Sequence, residues 1–199
     1  MTDIQTPEEI QRAVRAKYAE ISCSAAGRFR YPTGRAGAIA LGYDLSVLSD
    51  LPDDVLDTFC GVGNPLALES IHSGEKVLDI GCGAGLDMIL ASRLVGPAGR
   101  VCGIDLTPEM VEKARANFVR AGVNNANAVV AGSEAIPYDN DTFDVVISNG
   151  VLNLSPLKER SFREIFRVLK PGGRLRFADI ILKEDLPAEL ANSLEAWSD

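Results

Sequence analysis

Three alternating glycines at the end of an apolar run, Gly81, Gly83 and Gly85, constrain this chain more than any other feature. The sequence around them reads Val-Leu-Asp-Ile-Gly-Cys-Gly-Ala-Gly-Leu-Asp. The apolar residues predict a buried strand, and the glycines predict a tight turn that a ligand can approach without meeting a Cβ. A helix is predicted over 86–95, before a Gly-Pro stop. Strand, glycine turn and helix in this order predict a nucleotide-type cofactor site at the carboxyl edge of a parallel sheet.

The glycine spacing narrows the kind of cofactor. The third glycine comes one position early for Gly-x-Gly-x-x-Gly, the dinucleotide fingerprint that presses a helix N-terminus against a pyrophosphate. A second strand over 100–106 places Asp105 at its end, where a carboxylate can accept both hydroxyls of a ribose. Alternatively, Asp105 is only a loop residue before the helix cap at Thr107. Gly-x-Gly-x-Gly resembles motif I of the class I S-adenosylmethionine (SAM)-dependent methyltransferases, whose cofactor has no phosphate.

Composition excludes several classes of protein. The chain has 199 residues, of which 46% are hydrophobic, and a net charge of −8, which argues against a nucleic-acid partner because that needs a basic face. No apolar run reaches the ~20 residues that span a bilayer, and the polar N-terminus predicts no signal peptide. The four cysteines show no Cys-x-x-Cys spacing. We therefore expect a cytoplasmic protein without membrane association or a bound metal.

The chain divides into two regions by pattern. Residues 74–199 alternate strands with helices, which predicts an α/β fold with a parallel sheet, expected to be the SAM-binding Rossmann-like domain. The predicted strands are 76–81, 100–106, 127–131, 144–149 and 173–181. The predicted helices after the first are 108–121, a short one at 133–136, and 156–169.

Residues 1–73 are expected to form an N-terminal helical lid that contributes to the substrate site. A helix is predicted from Thr6 to about Ser22, then a loop over 24–43 and short helices over 44–49 and 52–58. The candidate substrate contacts in this region are Tyr18, Arg28, Arg30, Tyr31 and Arg35.

Later motifs extend the resemblance. Asp141-Thr-Phe-Asp-Val-Val-Ile-Ser-Asn149 resembles the fourth strand of class I methyltransferases, and Val168-Leu-Lys-Pro-Gly-Gly173 resembles their entry into strand five. Finer matches resemble the arsenite methyltransferases and cover roughly residues 40–190. These are Tyr43-Asp-Leu, Leu51-Pro52, Gly63-Asn64-Pro65, Gly74-Glu75-Lys76-Val-Leu-Asp, Asp105-Leu-Thr-Pro-Glu-Met110 and Asn153-Leu-Ser-Pro156.

The resemblance implies a set of SAM-binding residues. The glycines would line the methionine and ribose, Asp105 would hold the ribose, Met110 would pack on the adenine, and Asn149 would lie beside the methionine end. Relatives place an acidic residue where Gly132 stands to accept from the adenine amino group, so either Glu134 replaces that contact or the Ser133 backbone and packing hold the base. The complete set is Asp79, Gly81, Gly83, Gly85, Asp105, Leu106, Met110, Ser133, Glu134 and Asn149.

The substrate cysteines of the related enzymes are missing. Arsenite methyltransferases bind arsenic through a cysteine in Gly-Cys-Gly-Asn-Pro, one in Asn-Cys-Val after strand four, and one beyond the last helix. The first two places hold Val62 and Gly150 here, and the chain ends where the third is expected. Cys60 and Cys23 could supply two thiols, which is too few for a three-thiolate site. Arsenite is therefore not the expected substrate.

Three functions remain open. The first is an active methyltransferase of an unidentified small acceptor; the second is a non-catalytic SAM-binding or interaction protein descended from one. The third, an NAD-dependent oxidoreductase, is disfavoured by the glycine spacing. No general base is evident, since His72 lies at a segment boundary.

The end of the predicted sheet raises a further question. After strand five the sequence predicts only a helix over 186–197, and we expect no C-terminal hairpin of the kind that class I methyltransferases usually place there. The apolar edge at 173–181 is therefore expected to be covered by a second copy of the chain, by that helix, or by residues of a longer natural protein.

Overall fold

A five-stranded parallel sheet is the centre of the computed structural model, which describes residues 5–182. The sheet order is β3-β2-β1-β4-β5, and every neighbouring pair is parallel. The strands are β1 (Lys76–Ile80), β2 (Arg100–Asp105), β3 (Ala126–Val130), β4 (Phe143–Asn149) and β5 (Leu169–Ala178). The predicted Rossmann-like α/β architecture is confirmed. Because the order reverses between β1 and β4, a ligand-binding crevice is expected at the carboxyl ends of these two strands.

Helices cover both faces of the sheet. They are α1 (Pro7–Ile21), α2 (Gly34–Ala40), α3 (Leu45–Ser49), α4 (Asp53–Leu56), α5 (Leu86–Val95), α6 (Pro108–Arg120) and α7 (Lys158–Val168), with 3-10 turns at Pro65–Ala67 and Leu152–Leu154. Alternate residues of β1 enter separate apolar clusters, Val77 with α5 and α6, and Leu78 with α7. This burial on both faces explains the continuous apolar run of β1. Within residues 5–182, no helix combines the length and the apolar character needed to cross a bilayer.

The prediction of a loop over 24–43 is wrong, because α2 lies within it. The segment is rich in glycine and alanine, and its helical state depends on contacts made elsewhere in the fold. The Arg35 guanidinium donates to the carbonyl oxygens of Leu48 and Leu51 and to the carboxylate of Asp53. These bonds tie α2 to α3, to α4 and to the segment between them.

Two helix predictions near the site need correction. Residues 133–136 form a turn instead of a helix, and Pro137 follows directly. The last crossover helix begins at Lys158 instead of Pro156, and its N-cap residue Leu157 makes no side-chain capping bond. Ser155, which precedes this helix, accepts a hydrogen bond from the Leu157 N–H at 3.1 Å and donates to a buried carboxylate at 2.6 Å.

Strand β5 begins earlier and ends earlier than the predicted 173–181. Leu169 pairs with Phe143, the register then shifts, and regular pairing resumes at Arg174. Among the described residues, β5 forms one edge of the sheet. The predicted helix over 186–197 lies outside the described residues.

Two arginines of β5 attach it to the linker that precedes β1. Arg174 forms an ion pair with Glu75 at 2.9 Å, and the buried Arg176 donates to the carbonyl oxygens of Glu69 and Ser70. These bonds fix the linker to β5.

Candidate functional site

The residues predicted to bind a cofactor surround one cavity at the carboxyl ends of β1, β2 and β4. The cavity encloses about 1080 Å³ of space free of atoms, which includes open solvent. Its walls contain every one of the predicted residues: Asp79, Gly81, Gly83, Gly85, Asp105, Leu106, Met110, Ser133, Glu134 and Asn149. The sheet thus brings together side chains that come from four separate turns of the chain.

The three glycines of the turn have different surroundings. All three have positive φ angles, +68° for Gly81, +49° for Gly83 and +88° for Gly85. A Cβ on Gly81 would overlap the methyl groups of Val151, and one on Gly85 would lie 2.8 Å from the Phe118 ring. A Cβ on Gly83 would meet no described atom within 4 Å. Gly81 and Gly85 therefore serve protein packing, whereas the space beside Gly83 is open to a ligand.

Asp105 connects the glycine turn to the end of β2. Its carboxylate accepts from the Gly83 N–H at 2.9 Å and from the Thr107 N–H at 2.8 Å. Burial raises the pKa of Asp105, and these two backbone donors oppose the rise. Because each carboxylate oxygen has a second lone pair, Asp105 can still accept hydrogen bonds from a ligand in the cavity.

Three neighbouring carboxyl groups, of which Asp79 and Asp87 are buried and Asp105 is half-buried, make the cavity favour positive charge. Asp79 is only 2% exposed, and no hydrogen bond joins its carboxyl group to another residue of the described range. Burial first, and then the charges of Asp87 and Asp105, raise the pKa of Asp79 well above its usual value. A cation in the cavity would stabilise these carboxylates and reverse the rise.

A hydrogen-bond network that the sequence did not reveal fixes Asn149. Its side-chain amide donates to the Tyr43 hydroxyl and to Asp87, both at 3.1 Å, and its Oδ1 accepts from the Val62 and Gly63 N–H groups at 2.9 and 3.1 Å. The Tyr43 hydroxyl donates to Asp87 at 2.6 Å. The network fastens the N-terminal region to β4 and α5 beside the cavity.

A second buried network lies under the other end of the cavity, at Glu134. Ser155 Oγ donates to Glu134 Oε1 at 2.6 Å, and Ser161 Oγ lies 3.0 Å from Ser155 Oγ and 2.8 Å from Ser133 Oγ. A Cβ built on Gly132 would lie 2.7 Å from Glu134 Oε2. The Glu134 carboxylate therefore occupies the space that a side chain at position 132 would enter.

Helix α1 packs over the cavity from the N-terminal side. The buried Met110 of α6 lies in one cluster with Ile21, Ala25 and Ala84, and Tyr18 packs against that cluster. Tyr18 also lines the cavity, together with Gln11 and Val14 of the same helix. Of the candidate substrate contacts in the N-terminal region, Tyr18 is the one placed on this cavity.

The remaining candidate contacts of the N-terminal region do not line this cavity. Arg35 holds α2 in place, and Arg28 forms an exposed ion pair with Glu20 at 2.8 Å. Tyr31 donates to the Cys60 carbonyl oxygen at 3.1 Å and lines a second, apolar hollow. That hollow shares Gly61 with the main cavity and encloses about 520 Å³.

Val62 and Gly150, the two positions at which the resemblance to arsenite methyltransferases implies cysteines, are neighbours. A Cβ on Gly150 would lie 3.3 Å from both methyl groups of Val62. Cys60 lines the cavity, and burial, with a smaller contribution from Asp105, raises the pKa of its thiol to about 12. Cys23 is exposed. Within the described part of the chain, no three His, Cys, Asp or Glu side chains are placed to hold a metal ion.

Comparisons with known sequences agree on one type of protein. A family model described as "Methyltransferase domain" matches residues 71–198. An arsenite methyltransferase of Halobacterium salinarum is 37% identical over 198 residues, which cover 92% of this chain and 50% of that protein. The ubiquinone/menaquinone biosynthesis C-methyltransferase UbiE of Pasteurella multocida is 44% identical over 107 residues, which cover 53% of this chain and 40% of that protein.

Comparison with solved structures gives the same result. The arsenic(III) S-adenosylmethionine methyltransferase of Chlamydomonas reinhardtii superposes with a TM-score of 0.66 at 36% identity. The match covers 73% of this chain and 51% of that chain. The chain thus spans about half the length of the relatives that it matches over most of its own length.

Proposed function

Because the chain belongs to the methyltransferase domain family and lies close to the arsenite methyltransferases, we propose that it transfers the methyl group of SAM to a small-molecule acceptor. SAM is the cofactor of this type of domain. The observation that carries the proposal is the open space beside Gly83, in a cavity lined by Asp105, Met110 and Glu134.

The residues of the cavity fit the nucleoside part of SAM. Asp105 offers lone pairs to the two ribose hydroxyls, and Gly83 allows the backbone to approach the sugar. Met110 offers a flexible apolar surface to the adenine ring, and sulfur–aromatic contact favours this placement. Glu134 and the Ser133 backbone are the groups that would meet the polar edge of the base, with Leu106 beside them.

The charge of the cavity fits the methionine part. SAM carries a sulfonium and an ammonium group, both positive. Asp79 presents a buried carboxyl group without a protein partner in the described range, and Asp87 and Asn149 are fixed beside it by the Tyr43 network. We propose that the cationic end of SAM lies against Asp79, where its charge stabilises the carboxylate.

When bound, SAM supplies an already activated methyl group. The chain's own residues then have to orient the acceptor and exclude water, and orientation can be worth roughly 7–11 kcal/mol. Tyr18 and Cys60 lie on the cavity with their pKa values raised by burial, so both stay protonated at neutral pH. Neither residue is therefore suited to act as a general base toward the acceptor.

The acceptor end of the cavity favours an apolar molecule over arsenite. Val62 lies against Gly150, so the isopropyl group fills the place where two thiolates of the related enzymes would meet. The adjoining apolar hollow is lined by Val62, Leu41 and Ile180 among others. The similarity to a quinone-biosynthesis C-methyltransferase is compatible with an acceptor of this kind.

A non-catalytic SAM-binding protein is the second candidate. The observation that favours it is the presence of Val62 and Gly150 at the two positions where the resemblance implies cysteines. It would bind SAM in the same cavity and transfer no methyl group.

We propose that the two regions of the chain have different roles. Residues 74–199 would bind the cofactor, and residues 1–73 would form the lid over it and contribute to the acceptor site. The packing of Tyr18 and Ile21 beside Met110 supports the lid. Opening of the lid on binding and release would appear as faster amide exchange in α1 without SAM.

We also propose that the protein is cytoplasmic and that the edge of the sheet at β5 is covered. The four cysteines are free thiols, which suits a reducing compartment. The edge at β5 would be covered by a second copy of the chain, by the helix predicted over 186–197, or by residues of a longer natural protein. Light scattering distinguishes the first alternative from the other two, because only the first makes a dimer.

Two measurements test the function. Calorimetry with SAM, S-adenosylhomocysteine and NAD should give binding for the first two and none for NAD. A methyl-labelled SAM assay over apolar thiols, phenols, amines and arsenite should then give a labelled product from an apolar acceptor. SAM binding without any product supports the non-catalytic candidate, and absence of SAM binding by the folded chain rejects both.

A further inference from the structure

Glu134 lies at one end of a chain of three buried hydroxyl groups. Ser161 is fully buried on α7, and Ser133, Ser155 and Glu134 are each at most 9% exposed. The oxygen-to-oxygen distances along Ser133, Ser161, Ser155 and Glu134 are 2.8, 3.0 and 2.6 Å. Distances this short require a definite donor and acceptor at every step.

The donor and acceptor of each hydrogen bond in this series of hydroxyl groups follow from Glu134, the acceptor at its end. An ionised carboxylate only accepts, so Ser155 must donate to Glu134 Oε1. Ser155 Oγ also accepts from the Leu157 N–H at 3.1 Å, and its second lone pair faces Ser161. Since the Ser155 hydrogen is used on Glu134, Ser161 must donate to Ser155 and Ser133 must donate to Ser161 for each contact to hold one hydrogen.

We infer that Ser155, supported by Ser161, is a positioning residue that makes Glu134 select adenine over a 6-oxo purine. This inference rests on the proposed function, since it requires the base of SAM to lie beside Glu134. Ser155 occupies Oε1 as a donor, which leaves Oε2 beside Gly132 as the oxygen for the ligand. Oε2 can accept from the 6-amino group of adenine and repels the 6-oxo group of hypoxanthine.

The matched ligands for the test are S-adenosylhomocysteine and S-inosylhomocysteine, which differ at this one position of the base. Calorimetry on the full chain should give about tenfold to a hundredfold tighter binding of the adenosyl compound, as expected for one hydrogen bond to a charged group. Ser155→Ala should reduce this ratio by at least about threefold, because Glu134 loses the donor that orients it. Ser92→Ala is the matched control, since Ser92 is a buried serine of α5 that donates to the Ile89 carbonyl oxygen away from the cavity.

Glu134→Gln is the variant that tests the inference most decisively. Its Oε1 would accept from Ser155, so its amide N–H would face the base and the preference should invert toward the inosyl compound. In the double variant Glu134→Gln with Ser155→Ala, the amide can turn over, and the ratio should return to near one. Glu134→Gln with Ser92→Ala should keep the inversion.

A swap tests the position of the carboxylate. Gly132 does not have a positive φ, so it can accept a side chain once Glu134 is shortened. Gly132→Asp in a Glu134→Ala background should recover the preference for adenine that Glu134→Ala alone loses.

The outcomes separate this inference from the proposed function. Failure of S-adenosylhomocysteine to bind the folded wild-type chain would reject the proposed function itself. Binding with an adenosyl-to-inosyl ratio near one would overturn the inference alone. A ratio that Ser155→Ala leaves unchanged, or an equal loss of both ligands in Glu134→Gln, would assign the serines a purely structural role and would also overturn it.

Discussion

Alanine at each of two glycines of the turn separates packing from ligand contact. Gly83 has φ +49° and an open space at its missing Cβ, whereas the Cβ at Gly81 would overlap Val151. Gly83→Ala should cost about 1–2 kcal/mol of folding free energy, the usual penalty for an L-residue in the left-handed region. Gly81→Ala adds a packing overlap of about 1–3 kcal/mol.

Gly83→Ala should lose more SAM affinity than Gly81→Ala, although it should lose less folding free energy. Gly83→Ala fills the space offered to the cofactor and should weaken SAM binding at least about tenfold, as overpacking of ~1.4 kcal/mol or more implies. Its melting temperature should fall by only about 2–8 °C, by the usual conversion for a domain of this size. Gly122→Ala is the control, because Gly122 has φ +67° and equally open space after α6.

Thermal melts without ligand and calorimetry with SAM provide the two quantities. Gly122→Ala should lose stability like Gly83→Ala and bind SAM like the wild type. Wild-type SAM affinity in a folded Gly83→Ala variant would refute the reasoning, as would a loss of stability in Gly83→Ala that equals the loss in Gly81→Ala.

Three further predictions concern the walls of the cavity. Asp79→Asn should raise the melting temperature at neutral pH and weaken SAM binding. Because burial raises the pKa of Asp79 in the folded protein, its stabilising contribution is present below the unfolded pKa of ~3.9 and is lost as pH rises. The gain in melting temperature of Asp79→Asn should therefore vanish in acid. Tyr43→Phe should destabilise the chain by about 1–3 kcal/mol in denaturant unfolding, because Asp87 loses a 2.6 Å donor; an unchanged midpoint would contradict the network. The wild type should release no methylarsenical from arsenite, whereas Val62→Cys with Gly150→Cys should bind arsenite more tightly in calorimetry, and robust wild-type arsenite methylation would refute the acceptor argument.

The features that the sequence predicted well are local ones. The glycine turn, Asp105 and Met110 follow strand ends and helix starts that short patterns define, and parallel topology then brings such ends to one edge of the sheet. The residues that line the cavity could therefore be named before their surroundings were known.

The features that the sequence could not predict depend on contacts between distant segments. Tyr43 and Asp87 meet Asn149 only because the N-terminal region folds across β4, and no spacing along the chain indicates this. Ser161 reads as an ordinary polar residue on α7, yet the fold buries it against Ser155. Arg35 stabilises a helix in a segment whose composition favours a loop, since its partners are the carbonyl oxygens of another segment.

Titration of SAM into the wild-type chain and into Asp105→Ala by calorimetry tests most directly whether this cavity is a cofactor site. Asp105 lies at the end of β2 and is already joined to the Gly83 backbone, so it is the residue best placed to hold a ribose. We expect one SAM per wild-type chain and a loss of about 1.5–3 kcal/mol in the variant, since two hydroxyl groups lose a charged acceptor. No binding by the folded wild type, or equal affinity in the folded variant, would contradict the assignment.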